Sequence, residues 1–204
     1  MTQLLQVRDL AYCTPDRRPL IHRLSFDLNQ GELITISGPN GIGKSTLLRL
    51  LLGERRQTAG TMQWQLPRER IGFLSQLHNQ EFHISLTLAD ILSFSRPVAR
   101  HEIQSQSHGL LHEAHLALAW NTASGGERQK TLLTRVFLQD PTVLILDEPM
   151  NHLDKSSRQQ VRAALRDFIQ DGRHAVIMVG HEDALDPAEW NPHRMIDLKG
   201  YIAS

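Results

Sequence analysis

Leu33-Ile34-Thr35-Ile36-Ser37-Gly38-Pro39-Asn40-Gly41-Ile42-Gly43-Lys44-Ser45-Thr46 is the stretch that decides the fold. The run from Leu33 to Ser37 reads as a buried strand, and Leu47, Leu48, Leu50, Leu51 and Leu52 read as a helix stopped at Gly53. Between them, Gly38 to Ser45 satisfies the pattern G-x-x-x-x-G-K-[ST] at every defined position. Glycines let the backbone wrap closely with its N–H groups turned inward, and a helix start adds favourable potential for anions. Lys44 is then placed to reach the β and γ phosphates of a nucleotide, and the Ser45 hydroxyl to ligate Mg²⁺. Strand, glycine-rich loop and helix in this order predict a phosphate-binding unit, with the bland alternative being a plain glycine-rich turn.

Working outward, Leu4, Val7 and Leu10 mark a short apolar strand. Leu24 to Leu28 alternates with period two before a turn at Asn29-Gln30-Gly31. Downstream, Thr61 to Gln65 and Arg70 to Ser75 predict two strands joined through Pro67 as a hairpin. Residues 77–120, rich in His, Ser and Gln, read as a mostly helical insertion. A helix is predicted from about Gly125 to Leu138, a strand at Val143 to Leu146, a helix at roughly Ser156 to Ile169 and a strand at Ala175 to Val179. Strands alternating with helices place the chain in the α/β class, with a largely parallel sheet covered on both faces. Only a short tail is expected after His181.

The 204 residues suffice for one large domain or two small ones. Lys plus Arg and Asp plus Glu cancel at 22 each, so global charge gives no reason to expect nucleic acid or anionic lipid as a partner. A mean hydropathy of -0.32 fits neither a membrane-embedded body nor wholesale disorder. The single Cys13 cannot form an internal disulfide, which suits a reducing compartment. Met1 to Leu5 lacks the features of a secretory signal, and no apolar run approaches the roughly 20 residues of a membrane span. A cytoplasmic location follows as the expectation.

A phosphate loop needs a carboxylate on a neighbouring strand. Val143-Leu144-Ile145-Leu146-Asp147-Glu148 supplies an apolar strand ending in two acids. Asp147 would hold Mg²⁺ through water, and Glu148 would polarise a water for attack on the γ phosphate. Many unrelated proteins use such a loop, including kinases, GTPases and transport ATPases. Ala123-Ser124-Gly125-Gly126-Glu127, between the loop and Asp147, separates them. Here the chain resembles the nucleotide-binding domain of ABC-type ATPases, whose signature is usually Leu-Ser-Gly-Gly-Gln. Ser124 to Gly126 match, Ala123 stands in place of Leu and Glu127 in place of Gln. No Asn-Lys-x-Asp motif for guanine is present.

The resemblance covers nearly the whole chain. It implies a P-loop NTPase fold: a RecA-like parallel-sheet core at about 1–76 and 140–204, an antiparallel β subdomain, and a small helical subdomain at about 77–139, all in a single ABC ATPase domain. Gln76 falls where the family has its Q-loop glutamine, a contact for Mg²⁺ or the attacking water. Asn151-His152-Leu153-Asp154 matches the D-loop, with Asp154 its acid. His181 occupies the H-loop position and is expected at the γ phosphate, and Tyr12 lies where an aromatic residue stacks on adenine. The loop residues Gly38, Pro39, Asn40, Gly41, Ile42, Gly43, Lys44, Ser45 and Thr46 would bind ATP, with Mg²⁺ held by Ser45, Gln76 and Asp147.

In the family, two such domains sandwich ATP head to tail. The resemblance therefore implies a homodimer, or a pair with a close paralogue, in which Ser124, Gly125, Gly126 and Glu127 bind the γ phosphate in trans. It also implies integral membrane permease subunits on the cytoplasmic face of the plasma membrane, and an extracytoplasmic substrate-binding protein if the system imports. Phe82, Ile84, Leu86, Leu88 and Ile91 offer apolar contacts for docking a permease, or else belong to the core. Glu148 to Asp154 also resembles the corresponding segment of ABC-F translation factors, but those carry two cassettes and a charged linker. The compact layout looks like the ATPases of bacterial zinc and manganese importers, and less closely like small haem-export ATPases. His108, His112 and His115, at helical spacing, are expected to be a solvated helix face rather than a metal site.

Overall fold

In the computed structural model, residues 2–75, 83–151, 153–180 and 193–201 are described. In chain order the elements are β1 (Gln3–Cys13), β2 (Pro19–Asn29), β3 (Leu33–Ser37), α1 (Lys44–Leu51), β4 (Ala59–Trp64) and β5 (Ile71–Leu74). There follow α2 (Leu88–Leu92), α3 (Arg100–Gln106), α4 (Glu113–Leu116), α5 (Gly125–Phe137), β6 (Val143–Asp147), α6 (Lys155–Gln170), β7 (Ala175–Val179) and β8 (His193–Asp197). Two sheets form: an antiparallel one in the order β2-β1-β4, and a parallel one in the order β5-β6-β7-β3-β8.

Every residue of β3, β6 and β7 is buried. Such strands must be covered on both faces, and alternate residues point to opposite sides. Ile34, Ile36, Val143, Ile145, Ala175, Ile177 and Val179 join the cluster that holds the leucines of α1 and the inner face of the antiparallel sheet. Leu33, Leu144, Leu146, Val176 and Met178 face the other way, into a cluster with Leu133, Val136 and Phe137 of α5 and Val161, Leu165 and Phe168 of α6. Helix α1 thus lies between the two sheets, while α5 and α6 cover the far face. Parallel register aligns Ile36 with Val179 and Val179 with Asp147, so the strand ends that carry the phosphate loop and the acids finish level with one another. No helix among the described residues is long and apolar enough to cross a membrane.

Three expectations need correction. Strands β4 and β5 are not a hairpin: β4 pairs with β1 in the antiparallel sheet, and β5 pairs with β6 in the parallel one. The turn at Pro67 and the 3-10 turn Arg68–Arg70 carry the chain from one sheet to the other. The insertion is not mostly helical, because α2, α3 and α4 span only five, seven and four residues. Pro97, and Gly109 with its φ of 77°, interrupt the helical runs. The chain's end is no mere tail, since β8 pairs in parallel with β3 along Leu33 to Ser37. With Met195 half exposed and Ile196 the one buried residue among its described side chains, β8 has too little apolar alternation to announce itself.

The contact between β5 and α5 is unusually close. A methyl group on Gly72 would come 2.6 Å from Cγ1 of Val136 and 3.1 Å from Cβ of Pro141. Alanine is worth about 0.5–1 kcal/mol over glycine in a strand, but overpacking a filled core costs about 1–3 kcal/mol. Gly72→Ala is therefore expected to be net destabilising by about 1–2 kcal/mol, seen as a lower urea midpoint with unchanged slope.

Candidate nucleotide site

Helix α1 begins directly from the loop, with Gly43 at its N-cap in a left-handed conformation of φ 111° that side chains resist. Lys44 is buried, and its ammonium donates to the carbonyls of Gly38 at 2.8 Å and Pro39 at 3.2 Å, closing the loop on itself. The Ile42 side chain is buried in the core cluster and anchors the loop. Asn40, Gly41, Gly43, Lys44, Ser45, Thr46 and Glu148 line a cavity of about 380 Å³, together with Leu20 from the start of β2. The loop and the second acid, read from distant parts of the sequence, therefore meet at one place.

Asp147 ends β6 and is buried, and its Oδ1 has no hydrogen-bond partner among the described residues. Burial pushes its carboxyl above the ordinary carboxylate range. The Ser45 hydroxyl bonded to it and the charge of Lys44 pull the other way, and the neighbouring Glu148 carboxylate adds to the rise. A buried oxygen without a donor beside a serine hydroxyl is a hard-oxygen pair suited to Mg²⁺, so these residues fit the ion the loop implies.

Glu148 follows in a left-handed backbone conformation with φ 50°, an arrangement that costs energy for a residue with a side chain. Its N–H donates to the Val179 carbonyl at 3.1 Å, and its carboxylate accepts from Nδ2 of Asn151. Asn151, known from the sequence only as part of the D-loop match, thus positions the acid. A second positioning contact was not legible at all: Gln129 of α5 donates to the Pro149 carbonyl at 2.9 Å, joining α5 to the residue after Glu148.

The Ser-Gly-Gly segment lies elsewhere on the chain and does not wall this cavity. Ser124 caps α5 in a reciprocal box. The Glu127 N–H donates to Ser124 Oγ at 3.2 Å, and the Ser124 N–H and hydroxyl both donate to the Glu127 carboxylate at 2.7 Å. Those two bonds, the hydroxyl first, hold the Glu127 carboxyl below its usual range. Glu127 in place of Gln therefore reinforces the cap. Ala123 is buried with Leu88, Ile91 and Trp120, so the indole occupies space near the smaller side chain. Asp154 caps α6, accepting from the Ser157 N–H at 2.9 Å and the Ser157 hydroxyl at 3.0 Å, which holds its carboxyl low. A methyl on Gly126 would lie 2.6 Å from Ser157 Oγ, so the starts of α5 and α6 touch.

Tyr12, expected at the base, is 6% exposed within the core cluster; its hydroxyl accepts from Arg55 at 2.5 Å, and the Arg55 guanidinium sits 5.8 Å from its ring centroid. His108, His112 and His115 do not share a helix face. His108 sits in a turn with φ 48° and pairs with Asp167, whereas His112 caps α4 and stacks on His115 at 5.7 Å. No group of three metal-ligating side chains occurs among the described residues. Gln76, Phe82, His152 and His181 lie outside the described residues.

The arrangement of loop, buried acid and strained glutamate on a parallel sheet is that of the P-loop NTPase fold. Residues 21–151 match the ABC transporter family model, and the chain belongs to that family. It is 32% identical over 183 residues to the zinc import ATP-binding protein ZnuC of Acinetobacter baylyi, covering 88% of this chain and 68% of that one. It is 35% identical over 196 residues to the sulfate/thiosulfate import ATP-binding protein CysA of Mesorhizobium japonicum, covering 85% and 56%. A solved ABC transporter of metal-chelate type in an inward-facing conformation superposes with a TM-score of 0.78 at 26% identity, over 97% of this chain and 80% of that one. The chain spans about a third to a little over half the length of several curated relatives it matches.

The raised pKa of Asp147 sets a pH-dependent cost. A carboxyl whose folded pKa exceeds its unfolded value favours the fold below the unfolded value, and that contribution is lost as pH rises through the folded one. Asp147→Asn is therefore expected to melt at a higher temperature than the parent at pH 7 without Mg²⁺. The difference should vanish towards pH 3.5, and the variant should lose the Mg²⁺-induced rise in melting temperature.

Proposed function

We propose that this chain binds and hydrolyses ATP to energise transport through separate integral membrane subunits, on the cytoplasmic face of the membrane. The observation that carries the reading is the convergence of Lys44, Ser45 and Glu148 on one cavity, with the buried Asp147 bonded to the Ser45 hydroxyl. Ser45 and Asp147 would hold Mg²⁺, which neutralises charge on the transferring phosphoryl group. Glu148, fixed by Asn151, orients a water for in-line attack on the γ phosphorus and accepts its proton as the bond to the β-phosphate oxygen breaks. ADP and phosphate result.

A second copy of the chain, or a close paralogue, would bring Ser124, Gly125, Gly126 and Glu127 onto the γ phosphate. Ser124 and Gly125 are exposed, as that role requires. Gln76 and His181 complete the site in this reading, and Asp154 supports the signature segment through Ser157.

A groove of about 360 Å³ between β5, α2 and α5 is the proposed seat for the membrane subunit. Phe73, Ile91, Phe94 and Trp120 line it with Arg135, and Phe94 is 49% exposed. Of the apolar residues read as docking contacts, Ile84 is exposed, while Leu88 and Ile91 are buried core. Zinc import by one relative and the metal-chelate type of the solved transporter support a metal ion or its chelate as cargo.

Glu148→Gln is expected to lower steady-state ATPase activity by roughly 10² to 10⁴ while ATP binding persists. An unchanged rate would remove Glu148 as the base. Purification from native membranes should bring down an integral membrane protein with the parent and not with Phe94→Glu. Ribosomal particles in its place would overturn the transport reading.

A further inference from the structure

The sequence holds one Asn-Gly pair, Asn40-Gly41, and it lies in the phosphate loop. Both residues are exposed, and both line the cavity with Lys44, Ser45 and Glu148. They are the central residues of a turn closed by the Ile42 N–H on the Pro39 carbonyl at 3.3 Å. Gly41, with φ 79°, takes the place in that turn where a left-handed backbone favours glycine. Nothing stands within 4 Å of where a Cβ on Gly41 would be, so its backbone is open on that side. Among the described residues, neither the Asn40 side chain nor the Gly41 N–H meets a hydrogen-bond partner. Other asparagines are held: the side-chain amide of Asn29 donates to Glu32 at 3.3 Å, and that of Asn151 donates to Glu148.

An asparagine amide beside an unhindered backbone nitrogen is thermolabile. The Gly41 nitrogen, giving up its proton to base, attacks Cγ of Asn40. A nitrogen–carbon bond forms, the Cγ–Nδ2 bond breaks, and ammonia leaves a cyclic succinimide behind. Water opens that ring at either carbonyl. The product is aspartate, or isoaspartate in which the main chain runs through the side-chain carbon. Water alone is consumed, and nothing is oxidised or reduced. Any residue but glycine would put a Cβ beside the attacking nitrogen, so the backbone requirement that places Gly41 in the turn also leaves the nitrogen unshielded.

We propose that Asn40 is a site of spontaneous deamidation, that the product weakens the loop's hold on polyphosphate, and that bound polyphosphate protects the site. The chemistry stands on the pair itself; its consequence and its protection rest on the reading of the cavity as a nucleotide site. A carboxylate in the cavity wall places negative charge where the phosphates must lie. Isoaspartate also lengthens the main chain inside the turn from Pro39 to Ile42. A phosphate gripped by the loop's N–H groups occupies the nitrogen that would otherwise attack.

Peptide mass spectrometry of the full chain, aged in mildly alkaline buffer with Mg²⁺, tests this with and without inorganic tripolyphosphate. The mass gain of amide-to-acid exchange is expected at Asn40 ahead of Asn29, Asn121 and Asn151. Tripolyphosphate at about ten times its Kd is expected to slow that gain about tenfold, because only unoccupied molecules react. Asn40→Asp is expected to bind tripolyphosphate and ATP about tenfold more weakly than the fresh parent. Asn40→Gln, whose longer side chain would have to close a larger ring, is expected to show no gain in that peptide. A gain at Asn40 no faster than at the other three, a gain that persists in Asn40→Gln, no slowing by bound tripolyphosphate, or parent-like binding by Asn40→Asp would each overturn the proposal. If the fresh parent fails to bind tripolyphosphate, the nucleotide reading falls and the protective effect with it, while deamidation at Asn40 is still decided by mass alone.

Discussion

The constraint on which the rest of the structure depends is that β3, β6 and β7 are buried from end to end. A strand without a solvent face needs apolar cover on both sides, and each layer of the molecule supplies one part of it. The leucines of α1 and the antiparallel sheet cover one face, and α5 with α6 covers the other. Because α1 must lie on the sheet to provide that cover, its N-terminus and the loop before it are brought to the level where β6 ends in Asp147. The functional geometry is thus a by-product of burying three strands.

That geometry stores strain and charge. Asp147 is held where burial disfavours its ionised form, and Glu148 is held in a backbone conformation that its side chain resists. Glu148 is over-determined by its surroundings: its N–H is tied to β7, its carboxylate to Asn151, and the next residue's carbonyl to Gln129 of α5. The last bond matters because α5 also carries the Ser124 cap at its start. One helix therefore begins at the Ser-Gly-Gly segment and reaches the residue that follows the acid.

What the sequence made legible follows the strength of local signals. The phosphate loop, β3, β6, β7 and the two long helices each carry a full period or a complete motif, and all stand where they were read to within a residue or two. Strand β8 was invisible because an edge strand with one buried residue among its described side chains has little alternation to read. The false hairpin of β4 and β5 arose because two short strands and a proline turn look alike whether they pair or part, and the choice is made by β1 and β6 far away. The burial of Tyr12 is likewise a tertiary fact, because its position along the chain says nothing of how its ring packs. Leu20 and Gln129 carry no motif, and only the fold shows what they touch.

Strand β3 bears the phosphate loop, yet both its neighbours, β7 and β8, come from the last part of the chain. On a ribosome the loop's parent strand emerges before either partner and waits, with both hydrogen-bonding edges open, until α6 has been made. Its partners then arrive in quick succession, one on each side. The strand that bears the loop is therefore the first of the parallel sheet to be made and the last to be paired on both edges, and a chain broken off before β8 would leave one of those edges exposed to chance pairing.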